Sequence, residues 1–265
     1  MLKQGLINGR FLFFSYYGRV FFVLFFFSSY KSQAQPALAH QSSVWLAYTT
    51  QLNFSSKWSS IIEGQWRRSQ WGLHPQQALL RTSLAYQLKP HVQLAAGVIF
   101  LRNSPYGAYP AKSTFPEFRT WEQVQYRGAL KHWDTWLRLR LEQRWMYSPV
   151  LTGTHYAPGD AVYTNRIRVM NKWNHPLGGT LGKPASFYMS FFDEFFISFG
   201  ENVKYNKFDQ NRIGVALGHK ITRTTTIELG YLLQTIIRMN GAQVEHNHTL
   251  NVACFSTLHL QGKTK

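Results

Sequence analysis

The chain of 265 residues holds one cysteine, Cys254, so no intrachain disulfide can staple the fold and no thiol stands near residue 35 to carry a lipid. Acids are scarce as well: 12 Asp and Glu against 29 Lys and Arg give a formal charge of +17. Beyond residue 40 there is no linker, low-complexity tract or run of like charges, and no stretch approaches 18 consecutive apolar residues. The first three absences favour a single domain, and the last requires any membrane passage in this part of the chain to be made by strands. No Gly-rich phosphate loop precedes a helix, which leaves nucleotide binding and cofactors without support. Nucleic acid, a common partner of basic chains, fits poorly because the arginines stand singly at alternate positions rather than in runs.

What is present begins with residues 1–34, which carry Lys3, Arg10, Arg19 and Lys31, no acid, and the unbroken apolar run Val20 to Phe27. The segment resembles a secretory signal peptide, with Ser32 and Ala34 placed for cleavage before Gln35 and Ala37 and Ala39 offering a second frame before His40. The alternative, a retained anchor helix, is disfavoured because so short a run falls well below the ~20 residues that span a bilayer. Residues 35–265 then form the single domain, with a charge of +13 once the four signal cations are removed. Such a surplus suits anionic neighbours, namely lipopolysaccharide phosphates in an outer membrane or small anionic solutes. Aromatics make up 16% of residues while the mean hydropathy is only −0.27. That balance suits a barrel, because half of each strand faces a polar lumen.

The clearest strand is Trp136 to Trp145, in which Leu137, Leu139 and Leu141 share one face while Arg138, Arg140, Glu142 and Arg144 share the other. Only an extended chain separates them so, and an apolar face backed by charges suits a wall between hydrocarbon and a polar lumen. Ten further segments repeat the pattern: Val44–Leu52, Trp58–Arg67, Gln77–Leu88, Val92–Phe100, Glu117–Arg127, Tyr163–Trp173, Phe187–Ile197, Gln210–Gly218, Ile227–Gln234 and Thr249–Leu260. Phe187–Ile197 also reads as a buried helix, but its length and flanking Gly and Pro favour a strand. Connections from the second segment onward alternate long and short, with long polar loops at 103–115 and around Pro149 to Gly159 and a Gly- and Pro-rich link at 174–184. The expectation is an all-β fold, an antiparallel transmembrane β-barrel of about 10–12 strands. Ten strands from residue 57 fit the loop parity, so the first segment either lies against the barrel or belongs to a total of twelve. Glu122 falls on the outward face of its strand and marks either a bulge or the barrel mouth. Cys254 faces outward as an inert, lipid-facing thiol.

The inward positions hold Glu63, Arg67, Arg81, Glu117, Arg119, Arg138, Arg140, Glu142, Arg144, Arg166, Arg168, Glu194, Arg212 and Glu228. One reading is a closed lattice of Arg–carboxylate pairs, in which Glu117 and Glu142 are the expected partners of Arg138, Arg140 and Arg144. The other is an anion-selective pore or an acidic-solute transporter lined by the surplus arginines. Lipid hydrolysis is a third: His246, His248 and His259 lie near Ser256, but no nucleophile-elbow glycines surround the serine. His246 and His248 share a strand face as a metal pair does, yet Asn247 and Thr249 supply no third ligand, so solvated histidines at a loop boundary are favoured and no metal is expected.

With these segments aligned, the chain resembles a bacterial outer-membrane family catalogued as domain of unknown function 2490. The resemblance rests on Trp45, Leu80-Arg81 with Tyr86, Glu117-Phe118-Arg119 followed by Gln123, the run Arg138 to Arg144, Arg166-Ile167-Arg168, Glu194-Phe195 and Phe208 to Arg212. It implies a barrel in the outer membrane of Gram-negative bacteria, inserted by the barrel assembly machinery, and no established activity. The chain departs from such proteins at its end, Gln261 to Lys265, where an aromatic strand residue is usual.

Overall fold

Strict alternation demands that each strand present two chemically different faces, and a sheet of such strands leaves no unpaired edge only by closing on itself. The computed structural model describes residues 37–178 and 186–260. The expected signal segment at 1–34, most of the Gly- and Pro-rich link and the departing terminus Gln261 to Lys265 lie outside the described residues. Eleven strands form a closed barrel: β1 (Ala37–Asn53), β2 (Trp58–Ser69), β3 (His74–Lys89), β4 (Val92–Asn103), β5 (Phe115–Leu130), β6 (Trp133–Met146), β9 (Val162–Leu177), β10 (Phe187–Phe199), β11 (Phe208–Lys220), β12 (Thr225–Ile237) and β13 (Gln243–His259). Between β6 and β9, β7 (Pro149–Thr152) and β8 (His155–Pro158) make a separate two-stranded hairpin. That segment reads as plain loop in the sequence because its Pro and Gly residues mask strands of only four residues.

Each barrel strand pairs antiparallel with its neighbours except at one seam, where β1 and β13 run parallel in unbroken register from Ala37↔Gln243 to Asn53↔His259. The geometry is forced. An up-and-down meander with an odd number of strands must close on a like-directed pair, whereas single-chain bacterial barrels ordinarily have even counts. The first segment therefore neither lies against the barrel nor belongs to a set of twelve; it is the eleventh stave. Connection lengths depart from the sequence reading at the first expected long loop, which is only Gln70 to Leu73 because β3 starts at His74. The end bearing the 104–114 loop and the β7–β8 hairpin is nonetheless distinct from the end bearing the tight turns at Pro90–His91 and Lys131–His132.

Burial is inverted relative to a water-soluble core. Leu139, Leu80, Ile213 and Leu229 are each more than half exposed, whereas Glu142, Glu245, Asn247 and Thr249 are fully buried. Outward aromatic rings gather at two heights. Near the tight turns, Trp58 meets Tyr86 at 4.7 Å, Trp133 meets His175 at 4.7 Å, and Phe187 stacks on His219 at 4.2 Å. Toward the long loops, Phe100, Phe118, Trp145 and Tyr163 form a continuous ladder with centroids 5.2, 5.6 and 5.2 Å apart. Two aromatic girdles with an aliphatic band between them are the surface a bilayer selects.

Glu122 lies within that band. The register of β4, β5 and β6 runs through Ala96↔Glu122↔Leu141 without a bulge, and Glu122 sits midway along β5 between Phe118 and Tyr126. It is thus neither at a bulge nor at the mouth. The Gln143 amide donates to its carboxylate at 3.1 Å and accepts from the Thr120 hydroxyl at 2.6 Å, so three outward polar groups serve one another. Asp193 on β10 is outward in the same way, held by Asn211 Nδ2 at 2.7 Å.

Small inward residues on β11 make room for rings on β10. A side-chain carbon added at Gly214 overlaps the ring of Phe192, and one added at Gly218 overlaps that of Tyr188, so both rings lie flat across the neighbouring glycines. Gly218→Val is therefore expected to destabilise the barrel by about 1–3 kcal/mol through overpacking. The outward Leu217→Val should cost clearly less. Urea titration of the heat-modifiable folded band measures both.

Candidate functional site

The lumen is filled by guanidinium groups reaching across it to a few carboxylates. At its centre Glu142 Oε2 accepts from Arg166 Nη2 at 2.6 Å and Arg119 Nη1 at 3.5 Å, while Oε1 accepts from Arg168 Nη1 at 2.7 Å and has Arg140 Nη1 at 3.9 Å. Glu194 Oε1 takes Arg138 and Arg168, both at 2.7 Å. Glu117 Oε1 takes the Nε atoms of Arg119 and Arg144, both at 2.8 Å. Asp209 binds Arg166 at 2.9 Å and Arg144 at 3.7 Å. Arg168 and Arg166 thus link three carboxylates into one lattice, and the buried rings of Trp121 and Phe196 fill the space beside it. Nearer the tight turns, Lys172 and the Tyr188 hydroxyl both meet Glu228 at 2.7 Å, and Arg81 meets Glu63 at 2.5 Å.

All fourteen lumen positions named from the sequence point inward along their strands, but their pairing differs in part. The partner of Arg138 is Glu194, reached over the intervening β9, and Arg140 is satisfied mainly by Gln123, whose Oε1 accepts at 2.6 and 3.1 Å. Arg144 pairs with Glu117 as expected, and Glu117 and Glu142 otherwise serve Arg119, Arg166 and Arg168. Three acids or bases of the lattice escaped the sequence reading. Lys172 sits at an inward position of a recognised strand, where alternation alone would have found it. Asp209 precedes the recognised segment and is turned inward by a bulge at the start of β11, against the alternation, and Glu245 precedes the expected start of the last strand.

Arg67, Arg140 and Arg212 form a separate class, stacked on aromatic faces instead of being tied closely to carboxylates. Arg67 lies 4.0 Å from the Trp45 ring centroid, Arg140 lies 4.1 Å from Trp121, and Arg212 lies 5.1 Å from Trp45 and 4.8 Å from Phe196. Cation–π contact offsets part of the cost of burying these charges.

Above the lattice, on the long-loop side, a cavity of about 330 Å³ remains, lined by eight arginines and two carboxylates. The 104–114 loop folds over it from β4 to the seam. Tyr109 donates to the Ala37 carbonyl at 2.8 Å, and Tyr106 donates to Glu245 at 3.4 Å, while Arg238 forms an ion pair with the same carboxylate and faces the Tyr106 ring. Burial, with Glu245 adding to it, pushes the Tyr106 phenol above its ordinary value.

The remaining sequence candidates are not assembled into chemistry. The Ser256 hydroxyl pairs with Tyr48 at 2.8 Å, His259 lies on the opposite face of β13, and His248 is eight residues up the strand, roughly 27 Å at ~3.4 Å per residue. His246 and His248 are not loop residues; they lie within β13 on its outer face, joined across the seam by His40, whose Nδ1 is 3.1 Å from His248 Nε2. Among the described residues no group of three or more His, Cys, Asp or Glu is arranged to hold a metal ion. Cys254 is a free thiol, partly exposed and outward on β13.

The family model described as a protein of unknown function (DUF2490) matches residues 42–245. The chain belongs to that family. Among solved structures, this DUF2490 chain is similar to one titled "NanC porin structure in rhombohedral crystal form", at 12% identity and a TM-score of 0.45, over 77% of this chain and 93% of that chain. No curated protein matches it.

Two outcomes follow for the lattice and the loop. Glu117→Ala removes the nearest carboxylate of Arg119 and Arg144, leaving them only Glu142 at 3.5 Å and Asp209 at 3.7 Å, and should cost on the order of 3 kcal/mol in urea titration, whereas the outward Glu122→Ala should be neutral or stabilising. Equal effects would reverse the inside and outside faces. For the loop, a phenol whose folded pKa exceeds the unfolded value of about 10 contributes stability that is fully present below that pH and lost as pH rises through the folded value. A nitroxide at Ala108 in a Cys254→Ser background should therefore become mobile above about pH 10. In Tyr106→Phe that alkaline transition should disappear.

Proposed function

We propose that the protein is an integral outer-membrane barrel whose lumen is closed at mid-height and open only as a blind vestibule on the long-loop side, so that it serves a structural or binding role without free conduction. The observation that carries this reading is Glu142, fully buried and contacted by four guanidinium groups projecting from β5, β6 and β9. An ion moving through the barrel would have to part these pairs, and breaking a buried pair costs several kcal/mol because it leaves a charge uncompensated. Placement in the outer membrane is supported by the inverted burial, the two aromatic girdles and the signal-like residues 1–34. A soluble barrel would need another segment to cover Leu80, Leu139, Ile213 and Leu229.

A second reading, an anion-selective pore or acidic-solute transporter, is favoured by the eight arginines that line the vestibule. Purified protein in planar bilayers separates the two. The closed barrel gives little or no current at neutral pH, and large anion-selective steps in most insertions would replace that reading with the pore. Fractionation adds an independent check: the protein should stay with outer-membrane fractions through alkaline carbonate, and recovery in the soluble periplasm would overturn the membrane placement.

A further inference from the structure

We propose that the vestibule is a binding site for a small dianion, a phosphate or a short dicarboxylate, seated between the guanidinium groups of Arg67 and Arg212. The proposal rests on the cavity being the blind vestibule described above.

The two arginines reach the same place from different parts of the wall. Trp45 on β1 pairs in register with Arg67 on the adjacent β2, and Arg212 comes from β11, three strands round the barrel on the other side. Both guanidinium groups lie against the Trp45 indole, which is itself fixed by donation from its N–H to Gln76 Oε1 at 3.1 Å. Their other partners are neutral amides. Arg67 Nη1 donates to Gln77 at 2.6 Å, and its Nε and Nη2 both donate to Gln65, at 3.0 and 2.5 Å. With the Gln210 amide oriented oxygen-first, Arg212 donates to it through Nη2 at 3.0 Å, and its nearest carboxylate oxygen, on Glu194, is 3.8 Å away. The two carboxylates that line the cavity are already committed, Glu117 to Arg119 and Arg144, and Asp209 to Arg166 and Arg144.

The result is two largely buried cations held in position by aromatic faces and amide oxygens, Arg67 with no ion pair and Arg212 with only a long one to Glu194, facing a cavity of about 330 Å³. Burial of a guanidinium without a carboxylate is costly, and an anion in the cavity would relieve both sites at once. On each arginine the Nε–Nη2 edge is held by a glutamine oxygen, so the N–H groups left to donate are at the Nη end, and donors fixed in advance lose little entropy on binding. Two guanidinium charges favour a dianion over a monoanion. Arg67 takes part in no ion pair with Glu142, Glu194 or Glu117, so its replacement leaves the lattice intact.

The test is calorimetric titration of the purified full-length protein in zwitterionic detergent at low salt, with inorganic phosphate, succinate, acetate and glucose as probes. Phosphate or succinate should bind at least about tenfold more tightly than acetate, and glucose should not bind. Arg67→Gln should weaken the dianion by on the order of tenfold or more while leaving the urea midpoint close to that of the parent, and Arg67→Lys should fall between. Absence of dianion binding, or equal affinity in the parent and Arg67→Gln, overturns the proposal. Arg212→Gln should weaken the dianion likewise; should it fail to fold, Arg67→Gln and Arg67→Lys decide alone. Conductance is read separately: a conducting barrel that binds dianions overturns the closed reading only, and a closed barrel that binds none overturns this inference only.

Discussion

A strand whose outer face is apolar has only its other face with which to fill the barrel, and here that face is charged. The pairing of long guanidinium side chains with a few carboxylates is what makes an eleven-stranded ring compatible with a nearly solid interior. Arginine suits the task because it spans several ångströms, keeps its charge and offers five donors in a fixed plane. Glu142 accepts from β5 and β9, Glu194 takes guanidinium groups from β6 and β9, and Arg168 joins the two. Remove the pairing and the same inward positions become a set of like charges in a medium less polar than water, which no amount of backbone hydrogen bonding in the wall would hold together. The glycines of β11 belong to the same economy of space, since they admit the Phe192 and Tyr188 rings where the lattice thins out.

Much of this was legible in the chain because alternation is a local signal. Leu137, Leu139 and Leu141 against Arg138, Arg140, Glu142 and Arg144 define inside and outside without reference to any other strand. The unread part was long-range. That Arg138 would choose Glu194 over Glu142 depends on how strands stagger around the ring, and no pattern within β6 encodes it. The meeting of His40 with His246 and His248 depends on the seam, which joins residues some two hundred positions apart. Short strands such as β7 and β8 fall below the length at which period-two patterning can be distinguished from loop composition. Lys172 was missed for a simpler reason, since it stands on a face whose polarity was already assigned, whereas Asp209 is turned inward by the irregularity opposite Phe196 and Ile197 and breaks the alternation.

Glu122 marks where the pattern was read correctly and its explanation was not, and Asp193, to which the sequence pattern assigned no face, repeats it. Both face outward, and both sit among side chains that meet lipid in a membrane barrel. Each has an amide neighbour, Gln143 for Glu122 and Asn211 for Asp193, so the polar groups form small self-contained pairs. The wall is therefore uneven, with carboxylates at positions where a barrel selected only for insertion would carry leucine.

The parallel seam has a consequence for the order in which the ring can be made. The other ten strand pairings each join neighbours along the chain, so they can zip up one after another as the chain emerges. The seam instead joins the two strands farthest apart in sequence, as in the hydrogen bond between Ser43 and Thr249 across 206 positions. Loop-closure entropy for such a separation grows only logarithmically, to roughly 5 kcal/mol, and seventeen paired positions repay it readily once aligned. Kinetically the case is different. Until that last zip, β1 and β13 are open rims with every second amide and carbonyl unpaired, and a half-ring could add a strand from another chain at either rim. An even-numbered barrel can reject a partner that approaches in parallel; this one must accept it, because the parallel approach is the native one.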